Sequence, residues 1–304
     1  MAESEFLIPP LRPGAGIAVI APAGPPEPGQ LDPVEGWLRE RGYQPHLLPS
    51  CFGPPPLDFL AAPDAVRLAD VHTAFADARY DAVLALRGGS GCIRLLDRVD
   101  LDLLAASRKL LIGYSDLTVL HALRDRAGIA SLHAPMPASD WGQPGAGPDT
   151  EALFRGLARG WRAGDVVGQA TPHDLSQGDR TGPVRGRLIG GNLAMFCALL
   201  GTPFMPDVEG ALLFVEDISE EPYRVDRMLS QLRLAGVLER IAGLLVGSFS
   251  GAEKSSDAVL ADHLARLRCP VLAGWPSGHG QPNRPLPLGV PAVMDVASRT
   301  LTLG

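Results

Sequence analysis

The sequence predicts an α/β protein: an N-terminal, mostly parallel sheet flanked by helices, followed by a second, smaller α/β domain. Three observations carry this. Short apolar runs alternate with stretches whose apolar residues recur at helical spacing. The short runs are apolar on both faces, as in a parallel sheet covered on each side. At 304 residues the chain has the length of about two domains.

In order, Gly16–Pro22 reads as a buried strand closed by a Pro/Gly loop. Leu31, Val34, Trp37 and Leu38 then recur at helical spacing, with Gly42 as the stop. His46–Leu48 is a short second strand, and Asp64 is placed to N-cap a helix with Leu68, Val71 and Phe75 on one face. Asp81–Leu86 is a third strand, ending in Arg87-Gly88-Gly89-Ser90-Gly91, and Ile93, Leu95 and Leu96 mark a helix after it. The run Leu110–Ile112 ends in Gly113-Tyr114-Ser115-Asp116, where a helix begins, and Ala130–Ala134 is a fifth strand. Ligands of such sheets bind outside the carboxyl ends of the strands. The Arg87–Gly91 loop and Ser115 can therefore share one crevice.

Residues 137–149, rich in Gly, Pro and Asp, mark a boundary. The chain divides into an N-terminal domain at 1–140, a linker region at 141–178 and a C-terminal domain at 179–304. In the last, Gly190-Gly191-Asn192 leads into an apolar helix, and Ala211–Val215 is a strand ending at Glu216-Asp217. Val225, Met228, Leu229 and Leu232 share one helix face, and Ala242–Gly247 is a further strand. A helix at about 256–268, a strand at 270–273, the loop Trp275–Gly280 and a closing strand pair complete the chain.

Composition narrows the function classes. The chain is 46% hydrophobic and 20% charged, as in a folded globular protein. Its net charge of −7 gives no basic footprint for nucleic acid or an anionic membrane. The first ten residues lack the basic region of a signal peptide, and no apolar run reaches the ~18 residues of a membrane span. The four cysteines are scattered, with no Cys-x-x-Cys pair, and read as reduced thiols.

Chemistry concentrates on few residues. Ser115 sits on a strand-to-helix turn, where a hydroxyl stands clear of the sheet as in a nucleophile elbow. By local sequence alone a helix N-cap is the commoner outcome. The second glycine of Gly-x-Ser-x-Gly is absent. Gly88 and Gly89, at a neighbouring strand end, let backbone N–H groups approach a ligand. One of them, with the N–H of Asp116, would make an oxyanion hole. No Lys-Ser/Thr follows, so a phosphate loop is disfavoured. Of seven histidines, His72, His121 and His263 fall in helices, His46 in a strand and His173 in a patternless stretch. His133 ends a strand near the same sheet edge. His279 stands in Ser277-Gly278-His279-Gly280, where small neighbours leave room for an imidazole. Glu216 or Asp217 would orient such a base, and local sequence does not choose between them.

Seven landmarks together resemble the LD-carboxypeptidases of the serine type, peptidase family S66, which includes the microcin C self-immunity peptidases. They are Ala21–Gly24, Arg87–Gly91, Gly113–Asp116, Gly190–Leu193, Val215–Asp217, Pro222–Leu229 and Gly278–Gly280. The resemblance runs from about Ile17 to Val296. It implies a flavodoxin- or class I amidotransferase-like N-terminal fold. It also implies a triad of Ser115, Glu216 and His279 drawn from two domains, with oxyanion donors at the N–H groups of Gly89 and Asp116. Gly88 and Ser90 would line the substrate pocket. Ser90 is small where the family often carries a bulky or amide side chain. Arg87 and Arg227, lying in matching motifs, are candidates to hold a substrate carboxylate.

The resemblance further implies a cytoplasmic homodimer without metal or cofactor. The implied substrate is a muropeptide tetrapeptide, which loses its terminal D-alanine at the L,D bond. An acylated or aminoacyl nucleotide is the alternative, and Trp141 or Trp161 could then stack on a base. A non-catalytic peptide- or sugar-binding module is the alternative of another class.

Overall fold

The computed structural model describes residues 6–178 and 182–304. Two sheets organise them. The first has six strands in the spatial order Leu286–Leu288, Ser131–His133, Leu110–Gly113, Ala82–Ala85, Gly16–Ile20, Gln44–Leu47. The last five are parallel to one another. Numbered along the chain they lie 2-1-3-4-5, the doubly wound order whose switch point falls between Gly16–Ile20 and Ala82–Ala85. Their residues are buried almost throughout, which is why they read as continuous apolar runs rather than alternating ones. The helices Val34–Glu40, Asp64–Ala76 and Thr118–Arg126 alternate with them in the chain.

The second sheet has seven strands, ordered Val271–Ala273, Gly243–Ser250, Leu212–Ile218, Val184–Asn192, Val290–Asp295, Thr300–Leu303, Val166–Gln169. The first four are parallel and the remainder are joined antiparallel. Leu193 and Phe196 from helix Leu193–Cys197, Leu229 from Pro222–Leu234 and Leu260 from Asp257–Leu264 share a core with one face. Phe214, Trp275, Leu286 and Leu288 fill the other.

One crossing places the site. Leu286–Leu288 leaves the second domain and pairs antiparallel with Ser131–His133 at the edge of the first sheet, Leu286 opposite His133 and Leu288 opposite Ser131. The His279 loop just before it is thereby drawn to the strand edge next to Ser115.

Several local expectations change. Asp64 opens the helix Asp64–Ala76 in its first turn and does not cap it; its carboxylate pairs with Arg67, Arg94 and Arg98. The helix after Gly91 is a 3-10 helix, Cys92–Arg98. Gly190-Gly191-Asn192 leads into the helix Leu193–Cys197 as expected, and it also closes the strand Val184–Asn192. The helix expected from about Thr150 to Arg159 in the linker region 141–178 runs Gly147–Arg159, with Leu153, Phe154 and Leu157 in the first core; the stretch after it, expected only as polar, holds the strand Val166–Gln169. Trp141 and Trp161 are each 5% exposed in that same core, so neither is available to stack on a ligand base. The four cysteines are unpaired, and no helix among the described residues is long and apolar enough to cross a membrane.

Candidate active site

Ser115 follows a buried strand. Leu110–Gly113 ends, Tyr114 stays extended, and Ser115 turns to φ +65° before the 3-10 turn Ser115–Leu117 and the helix Thr118–Arg126. A non-glycine residue in the left-handed region costs on the order of 1–3 kcal/mol, and such strain persists only where the surroundings impose it. Here the Thr118 hydroxyl donates to the Ser115 carbonyl at 2.7 Å, and the buried Asp116 carboxylate accepts the Cys92 N–H at 2.7 Å. The second bond ties the turn to the glycine loop beyond the neighbouring strand. The strained turn is thus a nucleophile-elbow geometry built without the second glycine.

That loop lies against Ser115. A Cβ on Gly88 would sit 2.7 Å from the Ser115 Cβ and 2.8 Å from its Oγ, so no side chain fits there. The Gly88 carbonyl accepts the Gly24 N–H at 3.1 Å. In a trans peptide the carbonyl and the following N–H point in opposite directions. The Gly89 N–H is therefore aimed away from Gly24, and among the described residues no acceptor meets it. The Asp116 N–H belongs to the first turn after Ser115, where backbone N–H groups have no partner within the helix. Gly89 and Ser90 are exposed beside the crevice. Arg87 is half-buried; its Nη1 donates to the Pro25 carbonyl at 2.9 Å, and its Nε is buried without an acceptor.

The His279 loop is stapled at every step. The Ser277 hydroxyl donates to the Arg284 carbonyl at 2.7 Å, the Gly278 N–H to Asn283 Oδ1 at 3.1 Å and the Gly280 N–H to Ser248 Oγ at 2.8 Å. Gly278 has φ +122°, and a Cβ there would lie 2.5 Å from Ser248 Oγ and 2.8 Å from Glu216 Oε2, so the loop requires glycine. Imidazole placement follows. His279 Nδ1 lies 2.7 Å from Glu216 Oε2, and Nε2 lies 3.0 Å from Ser115 Oγ. The same Glu216 oxygen accepts the His279 backbone N–H at 3.1 Å. With Nδ1–H donating to the carboxylate, the Nε2 lone pair faces the serine hydroxyl.

Glu216 lies in the strand Leu212–Ile218, two residues before its carboxyl end, and is fully buried. Asp217, next along the strand, has its Oδ1 taken by Asn192 Nδ2 and the Ile218 N–H and its Oδ2 by the Ala194 N–H. The carboxylate that meets His279 is thus Glu216, a choice the local sequence leaves open. Burial pushes the Asp217 carboxyl up to about 6. Burial disfavours charge on His279 as well, but the Glu216 carboxylate, through its charge and hydrogen bond, outweighs it with help from Asp217 and Asp140. The His279 pKa is raised above 6.5.

Behind the imidazole lies a group of residues of which the sequence points only to His133, at a strand end near the same sheet edge. The Tyr114 ring packs on the His279 ring with centroids 4.8 Å apart, and its hydroxyl donates to Asp140 Oδ1 at 3.1 Å. His133 is wholly buried, its ring 5.2 Å from those of Tyr114 and Phe214. Burial holds its pKa well below the ordinary value, so it is a neutral wall of the site. His121 is likewise buried, against Gly113 O and Ser131 Oγ. Arg227 lies on the exposed side of the helix Pro222–Leu234 with its guanidinium over the Tyr223 ring, and none of the contacts of Ser115, His279 or Glu216 among the described residues involves it. Among the described residues no group of three or more His, Cys, Asp or Glu comes together to hold a metal ion.

Two α/β domains that meet at a serine, a histidine and a buried carboxylate define the class of a serine-type hydrolase. The chain belongs to the LD-carboxypeptidase family: the N-terminal domain of that family matches residues 17–134 and its C-terminal domain residues 185–294. It is a serine-type carboxypeptidase. A probable murein peptide carboxypeptidase of Bacillus subtilis is 37% identical over 96% of this chain and 92% of its own. A murein tetrapeptide carboxypeptidase of Pseudomonas aeruginosa is 31% identical over 92% of each. The crystal structure of a muramoyltetrapeptide carboxypeptidase from Oxalobacter formigenes matches with a TM-score of 0.82 and 34% identity, over 95% of this chain and 98% of that one.

Proposed function

We propose that the protein releases the terminal D-alanine from muropeptide tetrapeptides by cutting the bond between an L-centre and that D-residue, through an acyl-enzyme on Ser115. The observation that carries this reading is the contact series Ser115 Oγ–His279 Nε2 at 3.0 Å and His279 Nδ1–Glu216 Oε2 at 2.7 Å, with Ser115 held at φ +65°. His279 takes the proton from Ser115 as its oxygen attacks the scissile carbonyl, then passes that proton to the departing D-alanine amine. Glu216 keeps Nδ1–H in place and stabilises the imidazolium. The N–H groups of Gly89 and Asp116 receive the oxyanion, an effect on the order of 10²–10³ in rate per donor. Water, activated by the same His279, frees Ser115.

Arg87, whose Nε lacks an acceptor beside this crevice, suits the free carboxylate that a carboxypeptidase must recognise. The relatives named for murein peptides support this substrate class. A cytoplasmic homodimer is part of the same proposal. The acyl-nucleotide alternative loses its stacking candidates, since Trp141 and Trp161 are core residues.

The experiment is to incubate the protein with a muropeptide tetrapeptide and, separately, with an acyl-sulfamoyl adenosine. Release of D-alanine and the tripeptide from the first is the expected result. Hydrolysis of the second alone would overturn the substrate assignment.

A further inference from the structure

A buried cation stands behind the oxyanion loop. Arg67, in the first turn of the helix Asp64–Ala76, is wholly buried, and no step of the mechanism above uses it. Burying a guanidinium is costly unless its donors are met. Here backbone carbonyls meet them. Nε donates to the Ala62 carbonyl at 3.0 Å and Nη1 to the Gly91 carbonyl at 3.0 Å. Nη1 also donates to the Pro22 carbonyl, and Nη2 to Asp64 Oδ1.

Three segments therefore converge on one side chain: the loop after the strand Gly16–Ile20, the end of the Arg87–Gly91 loop and the turn before the helix. Gly91 makes room for it. That residue has φ +133°, and a Cβ there would lie 2.7 Å from Arg67 Nη1. The first two segments also meet each other. The Gly24 N–H donates to the Gly88 carbonyl, and a Cβ on Gly89 would lie 3.0 Å from the Gly24 Cα, so Gly89 backs directly onto Gly24. The Ala61 N–H donates to the Ala23 carbonyl at 2.9 Å and ties the third segment to the first.

Gly89 thus hangs between two anchors. On one side Gly88 is bonded to Gly24, two residues after the Pro22 that Arg67 holds. On the other, Gly91 is bonded to Arg67 itself. A run of Gly88-Gly89-Ser90-Gly91 has wide backbone freedom of its own. An oxyanion donor acts only when it is fixed in advance where the charge develops. The landmark Ala21–Gly24, which contributes no triad residue, has its part here as the shelf on which the glycine loop rests.

We propose that Arg67 is the positioning residue of the oxyanion hole: by clamping Pro22 and Gly91 it holds the Gly89 N–H where the oxyanion forms. It touches no reacting atom. The inference rests on the reading of Gly89 as an oxyanion donor and adds what keeps it in place. Lysine is a poor substitute, because one ammonium on a flexible stem lacks the rigid fork that meets carbonyls from three directions.

The test measures kcat and KM for D-alanine release in the wild type, Arg67→Lys and Arg67→Met, together with the affinity of a tripeptide boronic acid whose boron replaces the scissile carbonyl carbon. Ser115 Oγ adds to the boron, its proton passes to His279 and no group leaves, so one boronate oxygen occupies the oxyanion hole. Thermal unfolding is followed beside both. Arg67→Met should lower kcat by about 10²–10³, the scale of one lost oxyanion donor, and weaken the boronate by a similar factor, with KM changed less than about threefold. Arg67→Lys, which keeps the charge, should still lose about tenfold in both, and it carries the test if Arg67→Met does not fold. A folded Arg67→Lys with wild-type kcat and boronate affinity, or a loss confined to KM or to thermal stability, would overturn the inference while D-alanine release stands. A wild type that takes the boronate but releases no D-alanine would overturn the muropeptide reading alone, and the boronate affinities of the variants would still decide for or against Arg67. A wild type that does neither would overturn both.

Discussion

Replacing Ser115 with alanine is expected to lower kcat for D-alanine release by about 10⁴–10⁶, with the fold retained. The change removes the atom that forms the acyl-enzyme. His279 and Glu216 remain paired but have nothing to activate. What survives is the binding and oxyanion contribution, which in serine hydrolases still leaves on the order of 10³ over water. Stability should not fall. Alanine at φ +65° bears the same backbone strain as serine, and the lost hydroxyl bond to His279 is a single partly buried contact. Thermal unfolding midpoints measured beside the kinetics check this. A variant that unfolds at the wild-type temperature and keeps substantial activity would remove Ser115 from the mechanism.

Glu216→Gln is expected to cost on the order of 10⁴ in kcat, the scale seen when the acid of a serine triad becomes an amide. A glutamine can present its NH₂ to Nδ1 and so favour the tautomer with the proton on Nε2, facing the serine. The pH profile supplies a second readout. His279 must be neutral to accept the serine proton. Its pKa is raised because the charge and hydrogen bond of Glu216 overcome the effect of burial. The acid limb of kcat/KM in the wild type should therefore have its midpoint above pH 6.5. Activity is lost as pH falls through that value, because the protonated base cannot act. In Glu216→Gln burial remains and the largest favourable charge is gone, so the midpoint should move to lower pH. A midpoint unchanged by the substitution would mean that the limb reports another group.

Much of the first domain is legible in the sequence, and the reason is burial. Strands such as Gly16–Ile20 and Leu110–Gly113 are covered on both faces, so their apolar runs stand out against the loops. The strand Val184–Asn192 escapes notice because it is half polar and carries three glycines; it is a strand through its neighbours, Leu212–Ile218 on one side and Val290–Asp295 on the other. Leu286–Leu288 is three residues long with a central proline, and only its seat beside Ser131–His133 makes it a strand.

The candidate site divides along similar lines. Ser115, Gly88 and Gly89 announce themselves by small residues at strand ends, and His279 by the glycines around it. The choice of Glu216 over Asp217 follows from the alternation of side chains along a strand, which sends the two carboxylates to opposite faces. The strand's phase is not readable from an apolar run that ends in two acids. Tyr114, Asp140, Asn283 and Ser248 gave no signal, because their part is to hold His279 from elsewhere in the chain. The tryptophans misled for a physical reason. Trp141 and Trp161 lie near a Gly/Pro-rich boundary, yet Trp141 packs on Trp37 and Phe154 while Trp161 lies in the same core.

The central claim is that Ser115 of one domain and His279 of the other act as one unit. A double-mutant cycle on kcat/KM, with Ser115→Ala, His279→Ala and the double variant, tests it most directly. If the two residues form one catalytic series, each single change should cost about as much as both together. If the losses instead multiply, the two residues act independently and the interdomain site described here is not the catalytic one.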